Sequence, residues 1–132
     1  MTGLLVVAHA EMARELIKSA EMIMGGAIEN AQAIAINPGD SGDDIHTAIS
    51  AAVTQISADG AVIMTDMFGG TPSNISLSFL QENKVEVVTG VNLPMLIKFV
   101  SDRDRLGVAE LAAALRDTGR DGITVAGDYL RK

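Results

Sequence analysis

The chain contains no cysteine and no tryptophan, and it has only one tyrosine and three phenylalanines in 132 residues. Without cysteine, neither a disulfide framework nor a thiolate metal site can form. The scarcity of aromatic rings and the net charge of -7 argue against nucleic-acid binding, which depends on base stacking and clustered basic side chains. No apolar run is long enough to cross a bilayer, and residues 1–8 lack the features of a signal peptide. The sequence therefore predicts a cytoplasmic protein.

Short apolar runs alternate with amphipathic patterns along the whole chain, of which 48% is hydrophobic. The apolar runs predict strands at 4–8, 33–36, 61–65 and 85–89, and a last strand at 123–126, whose apolar run Thr124 interrupts. The amphipathic patterns predict helices at 11–24, 41–57, 72–83, 94–101 and 107–117, the last of which Gly119 can end. Strands separated by helices are typical of right-handed βαβ crossovers. We expect one α/β domain over 1–132, a three-layer, open, mostly parallel sheet with helices on both faces and an antiparallel last strand at an edge.

Two polar residues follow predicted strands at what should be one edge of the sheet. His9 ends the first apolar run, and Asp66 follows the third. In open α/β sheets, ligands bind beyond the carboxyl ends of the strands. His9 could instead be a core residue, and Asp66 could cap a turn. If the two strands are neighbours, Asp66 could orient one imidazole nitrogen and leave the other as a nucleophile.

A glycine-rich run follows Asp66 and predicts an anion site. Gly69 and Gly70 allow the backbone to approach a ligand closely. Thr71 is suited to the N-cap of a helix and Pro72 to its first position. Free amides at such a helix start attract anions, although an ordinary capped helix would have the same pattern. Beside a histidine and an aspartate, the run favours phosphate binding.

Other chemistries fit the sequence less well. Neither GxxxxGK[ST] nor GxGxxG occurs, and a receiver-type phosphoaspartate domain would need an acidic pair where the chain has His9 and Ala10. His46 is predicted to be a solvated helix residue, so a metal site formed by His9, His46 and Asp66 is a poor candidate. Ser73 could supply a hydrolase nucleophile, but GxSxG is missing. The sequence predicts neither a metal nor a cofactor.

Three segments together resemble a known family. They are the strand–histidine start LLVVAH (4–9), the loop TDMFGGTPSN (65–74) and the segment GVNLPML (90–96). Over essentially all 132 residues, the chain resembles the IIA domain of the mannose family of the bacterial phosphoenolpyruvate:sugar phosphotransferase system. The resemblance implies a phosphotransferase that works through a phosphohistidine and serves sugar transport.

The resemblance also implies a role for each residue of the predicted site. His9 would accept a phosphoryl group from the phosphocarrier HPr and pass it to a IIB partner. Asp66 would be hydrogen bonded to that histidine. The amides of Gly69 and Gly70 and the hydroxyl of Thr71 would contact the phosphoryl group.

The resemblance further implies a homodimer in which the strand at 123–126 is exchanged between subunits. The family usually has glycine after the histidine, where this chain has Ala10. Because we expect no IIB domain after Lys132, the protein would be a separate permease subunit, at most peripherally associated with the membrane, or a stand-alone regulatory module. In the regulatory alternative, phosphorylation of His9 would control binding to another protein. A phosphate-binding protein without transfer is a third alternative.

Overall fold

Four apolar runs form the parallel sheet on which the rest of the chain is built. A computed structural model describes residues 1–131. The sheet has the strand order β2-β1-β3-β4 and consists of β1 (Gly3–His9), β2 (Ala31–Ile36), β3 (Ala61–Thr65) and β4 (Val85–Thr89). All its pairings are parallel. The predicted α/β class is therefore confirmed.

The helices cover both faces of this sheet, which makes three layers. They are α1 (Met12–Met24), α2 (Gly42–Ile56), α3 (Thr71–Ser76), α4 (Leu93–Asp102), α5 (Val108–Asp121) and α6 (Ala126–Leu130), with a 3₁₀ turn at Leu77–Phe79 after α3. Because side chains alternate along a strand, Leu4 and Val6 pack in the core under α1, α4 and α5, whereas Leu5 and Val7 pack under α2. Within residues 1–131, no helix is both long and apolar enough to span a membrane.

The helix after β3 is much shorter than the predicted 72–83. It is α-helical only over Thr71–Ser76, tightens into the 3₁₀ turn and ends where Leu80 adopts an extended ψ of 129°. The Ser76 hydroxyl donates to the carbonyl of Pro72 at 2.6 Å, a back-bond that weakens regular helix continuation. The predicted length was wrong because the apolar pattern carries no information about this serine hydrogen bond.

Gly119 does not end α5, which continues to Asp121. A β-carbon at Gly119 would lie 2.7 Å from the sulfur of Met95. This glycine therefore permits close packing between α5 and α4, and its role as a helix stop was wrongly predicted.

The predicted last strand at 123–126 is wrong for the single chain. Residues 123–125 form no strand among the described residues, and α6 begins at Ala126. A strand antiparallel to β4 would have to reverse direction directly after α5, yet Gly122 remains helical with φ -75° and ψ -6°. Ile123 and Val125 remain exposed.

Candidate functional site

His9 and Asp66 lie side by side at the carboxyl end of the sheet. β1 and β3 are neighbours, and their register pairs Val7 with Thr65, so the residues that end or follow these strands come together. The Nδ1 atom of His9 lies 2.7 Å from Oδ2 of Asp66, and the backbone N–H of His9 donates to the same oxygen at 2.9 Å. The condition set by the sequence, that the two strands be adjacent, is met.

The Asp66 carboxylate receives several N–H groups in a partly enclosed position. Its Oδ1 atom accepts the backbone N–H of Met67 at 3.0 Å, in addition to the two contacts of Oδ2 with His9. Burial disfavours the charged carboxylate, but the hydrogen bonds from His9 and Met67 and the attraction of the His9 ring outweigh burial. These contacts hold the pKa of Asp66 below its usual value of 3.8.

An ionised Asp66 fixes the tautomer of the neighbouring ring. A carboxylate can only accept hydrogen bonds, so the Nδ1 atom of His9 must carry the proton in their contact. In the neutral imidazole, Nε2 then keeps its lone pair. The His9 side chain is 51% exposed and that of Asp66 is 10% exposed, so the histidine, rather than the carboxylate, is open to solvent.

The glycine-rich loop passes close to the His9 ring. A β-carbon at Gly70 would lie 3.5 Å from Cε1 of His9, and Gly69 has a φ of +84°, a conformation that favours glycine. Thr71 lines the same groove as His9. The loop predicted from the sequence therefore lies next to the histidine.

Thr71 is not the N-cap that the sequence predicted. It is the first residue of α3, Gly70 occupies the cap position, and no side chain caps this helix start. The Asn74 amide instead donates from its backbone to the carbonyl of Gly70 at 2.9 Å, which closes the first turn. Thr71 has no capping hydrogen bond, is an exposed residue and lines the groove beside His9.

The other candidate residues lie apart from this site. His46 is exposed on α2, with its ring centroid 4.6 Å from that of Phe79, as expected of a surface helix residue. The buried hydroxyl of Ser73 has no hydrogen-bond partner among the described residues, so no Ser-His-Asp set forms. In residues 1–131, no group of three or more histidine or acidic side chains could hold a metal ion.

Residues 3–116 match a protein-family model named EIIA-man and described as "PTS system fructose IIA component". The chain belongs to this family. EIIA-man proteins are components of the phosphotransferase system, and the mannose-type resemblance inferred from the sequence is thereby confirmed.

Relatives of this EIIA-man chain are named for fructose and for mannose. The fructose-specific EIIA component of Bacillus subtilis (strain 168) is 28% identical over 134 residues, which cover 100% of this chain and 91% of the relative. The mannose-specific EIIAB component of Escherichia coli (strain K12) is 30% identical over 124 residues. That alignment covers 92% of this chain but only 38% of the longer relative.

A solved structure shares the EIIA-man fold over nearly its full length. The phosphotransferase system component EIIA from Streptococcus agalactiae superimposes with a TM-score of 0.87 and 28% identity, covering 97% of this chain and 99% of the other. The likeness supports the three-layer architecture described above.

Sequence reasoning missed one conformational feature of this EIIA-man site. Ala10, directly after His9, has a φ of +52°, which is uncommon for a residue with a β-carbon. Its N–H donates to the carbonyl of Ile36 at 2.9 Å, so the histidine is held to β2 as well as to Asp66. The only available signal was the position itself, where the family usually has glycine.

Proposed function

We propose that the protein is a phosphocarrier that accepts a phosphoryl group on Nε2 of His9 from phospho-HPr and passes it to a IIB partner. The observation that carries the proposal is the 2.7 Å contact between Nδ1 of His9 and Oδ2 of Asp66. This contact commits one ring nitrogen and leaves the other as a nucleophile on a half-exposed ring.

The phosphoryl group passes from the imidazole of the donor to that of His9. The lone pair of Nε2 attacks phosphorus, a new phosphorus–nitrogen bond forms, and the corresponding bond in the donor breaks, its electron pair returning to the donor ring. The Nδ1 proton stays between His9 and Asp66, whose negative charge stabilises the ring as it becomes positive. The reverse sequence of bonds delivers the group to the acceptor.

The Gly69–Thr71 loop contacts the phosphoryl oxygens. Gly70 lies beside Cε1 of His9, the ring carbon bonded to Nε2, where a β-carbon would be in van der Waals contact at 3.5 Å. Thr71 is exposed and lines the same groove, where its hydroxyl can donate to a phosphoryl oxygen. Both groups would serve the bound phosphoryl group and the transition state alike, so the group could also leave again.

The protein acts as a cytoplasmic homodimer in which residues 123–126 pair with β4 of a second copy. β4 is at the edge of the sheet, and its residues line a groove of about 510 Å³. The apolar side chains of Ile123 and Val125 are exposed in the single chain, so they are open to contact with a second copy. Sedimentation at micromolar concentration should give twice the chain mass of 13.8 kDa; a single-chain mass would contradict the exchange.

The carrier role is tested by incubation with enzyme I, HPr and labelled phosphoenolpyruvate. We expect acid-labile, base-stable label that disappears in His9→Ala and remains in His46→Ala, the matched change at the other histidine. Addition of a IIB protein should then discharge the label. Persistent label in His9→Ala would overturn the proposal, and labelled protein that no IIB protein discharges would favour the regulatory alternative.

A further inference from the structure

Asn74 hydrogen bonds to both glycines of the loop that passes His9. Its backbone N–H donates to the carbonyl of Gly70 at 2.9 Å, and its side-chain Nδ2 donates to the carbonyl of Gly69 at 3.3 Å. The backbone bond is the ordinary first bond of a helix, which any residue except proline would make. The other bond needs a donor on the side chain at this position. Asparagine therefore adds to the loop a restraint that the helix alone does not provide.

The two carbonyl bonds set the direction of the amides that follow them. Because a trans peptide group is planar, its C=O and N–H point in opposite directions. The carbonyl of Gly69 is turned towards Asn74, so the N–H of Gly70 is turned away from it. The carbonyl of Gly70 sets the direction of the N–H of Thr71 in the same way. Neither N–H donates to another group in residues 1–131, so both keep a free donor.

Gly69 has few other contacts that could hold its peptide group in place. Its φ is +84°, and a β-carbon there would meet no atom within 4 Å beyond its chain neighbours. A glycine backbone adopts many conformations at low cost. Among the described residues, Asn74 is the only donor to the carbonyl of Gly69. Loss of the side-chain bond would therefore free the peptide between Gly69 and Gly70 to rotate.

We propose that Asn74 is a positioning residue for phosphoryl transfer: its side chain holds the N–H of Gly70 ready for a phosphoryl oxygen on His9. The proposal rests on the proposed function, because the loop acts on the group that His9 carries. A β-carbon at Gly70 would lie 3.5 Å from Cε1 of His9, so the held peptide ends beside the ring carbon bonded to Nε2. A donor that is already oriented needs no rearrangement as charge develops on the phosphoryl oxygens. Asn74 thus acts through the loop.

Single-turnover transfer from phospho-HPr, measured over a range of phospho-HPr concentrations, tests this role. Asn74→Leu keeps the approximate shape of the side chain without a donor, and Asn74→Asp keeps its size but presents only acceptors to the carbonyl of Gly69. Both should lower the maximum rate of transfer to His9 by about 10- to 100-fold, the loss typical of a small misplacement at a reacting centre. The phospho-HPr concentration that gives half the maximum rate should stay the same.

Ser78→Ala is the matched control, because it removes another side-chain bond to a backbone carbonyl, just beyond α3. The hydroxyl of Ser78 donates to the carbonyl of Ile75 at 2.8 Å, and the residue is exposed, as Asn74 is. This variant should transfer at the normal maximum rate. If both Asn74 variants also keep the normal maximum rate, or if Ser78→Ala is slowed as much as they are, the positioning role is refuted.

Amide NMR gives a readout that a loss of stability would not produce. In the unsubstituted protein, phosphorylation of His9 should move the Gly70 amide proton to higher frequency, because this N–H gains a charged acceptor. The shift should be much smaller in Asn74→Leu phosphorylated with phosphoramidate, and Asn74→Asp serves the same comparison if Asn74→Leu does not fold. An equal shift with and without the substitution, or no shift in the unsubstituted protein, would refute the role of Asn74 alone. No label on His9 of the unsubstituted protein from either phosphoramidate or phospho-HPr would refute the carrier function instead.

Discussion

His9 and Asp66 are joined twice through one oxygen atom. Oδ2 of Asp66 accepts the backbone N–H of His9 at 2.9 Å and faces its Nδ1 at 2.7 Å. The other carboxylate oxygen accepts the N–H of Met67. Among the described residues, every group that hydrogen bonds to this carboxylate is thus an N–H donor. The side-chain amide of an asparagine has one acceptor oxygen and one donor NH2 group, so at this position its NH2 group would face one of these N–H groups.

Asp66→Asn should slow phosphoryl transfer to His9 by about 10²- to 10³-fold, the usual effect of removing one preorganised electrostatic contact. The substitution loses the negative charge that stabilises the ring during attack, and it sets an amide N–H against either His9 or Met67. Single-turnover transfer from phospho-HPr measures the change.

Asp117→Asn is the matched control, because Asp117 is an exposed residue of α5 whose contact is with its neighbour Arg116. It should transfer at the normal rate. A normal rate in Asp66→Asn, with the fold intact by circular dichroism, would show that the carboxylate does not assist the transfer.

The pH dependence of stability follows from the lowered pKa of Asp66. Because the folded protein holds this proton less tightly than the unfolded chain, Asp66 stabilises the fold fully above its ordinary value of 3.8. The stabilisation is lost as the pH falls through the lower folded-state pKa. The difference in free energy of unfolding between the unsubstituted protein and Asp66→Asn should therefore be smaller at pH 3 than at pH 5.

Urea unfolding at the two pH values measures this difference. Glu82→Gln makes the same carboxylate-to-amide change at an exposed residue and should give a small difference at both. If the difference in free energy of unfolding between the unsubstituted protein and Asp66→Asn is larger at pH 3 than at pH 5, the folded state raises, rather than lowers, the pKa of Asp66.

We expect the substitution of Ala10 by glycine to stabilise the fold. Its left-handed φ of +52° costs a residue with a β-carbon roughly 1–2 kcal/mol, part of which the greater freedom of unfolded glycine offsets. Ala10→Gly should raise the free energy of unfolding by about 0.5–1 kcal/mol. Chemical denaturation is the measurement.

The same substitution at an ordinary helical alanine should have the opposite sign. Ala51 is an exposed residue inside α2, where glycine costs about 1 kcal/mol relative to alanine. If Ala10→Gly destabilises the protein as Ala51→Gly does, the backbone at residue 10 is not strained.

The parts of the fold that sequence reasoning predicted are those that depend on local patterns. The continuous apolar run 4–8 predicted a strand buried on both faces, as β1 is. The regular spacing in 41–57 predicted α2, whose start Ser41 caps by accepting the N–H of Asp44 at 3.0 Å. Placing His9 and Asp66 at strand ends was enough to predict that they lie at one edge of the sheet.

The features that sequence reasoning missed depend on contacts that no local pattern records. Gly119 resembles a helix stop until its packing against Met95 is known. Thr71 has the chemistry of an N-cap, but the helix begins one residue earlier than this role requires. The apolar residues of the segment 123–126 predicted a strand, but residues 123–125 form no strand and α6 begins at Ala126.

The position of the phosphoryl group on the His9 ring tests the central claim most directly. Heteronuclear phosphorus–nitrogen NMR of the phosphorylated, nitrogen-labelled protein identifies the bonded atom. The contact of Nδ1 with Asp66 predicts that the phosphorus couples to Nε2 of His9. Coupling to Nδ1, or to any residue other than His9, would contradict the account.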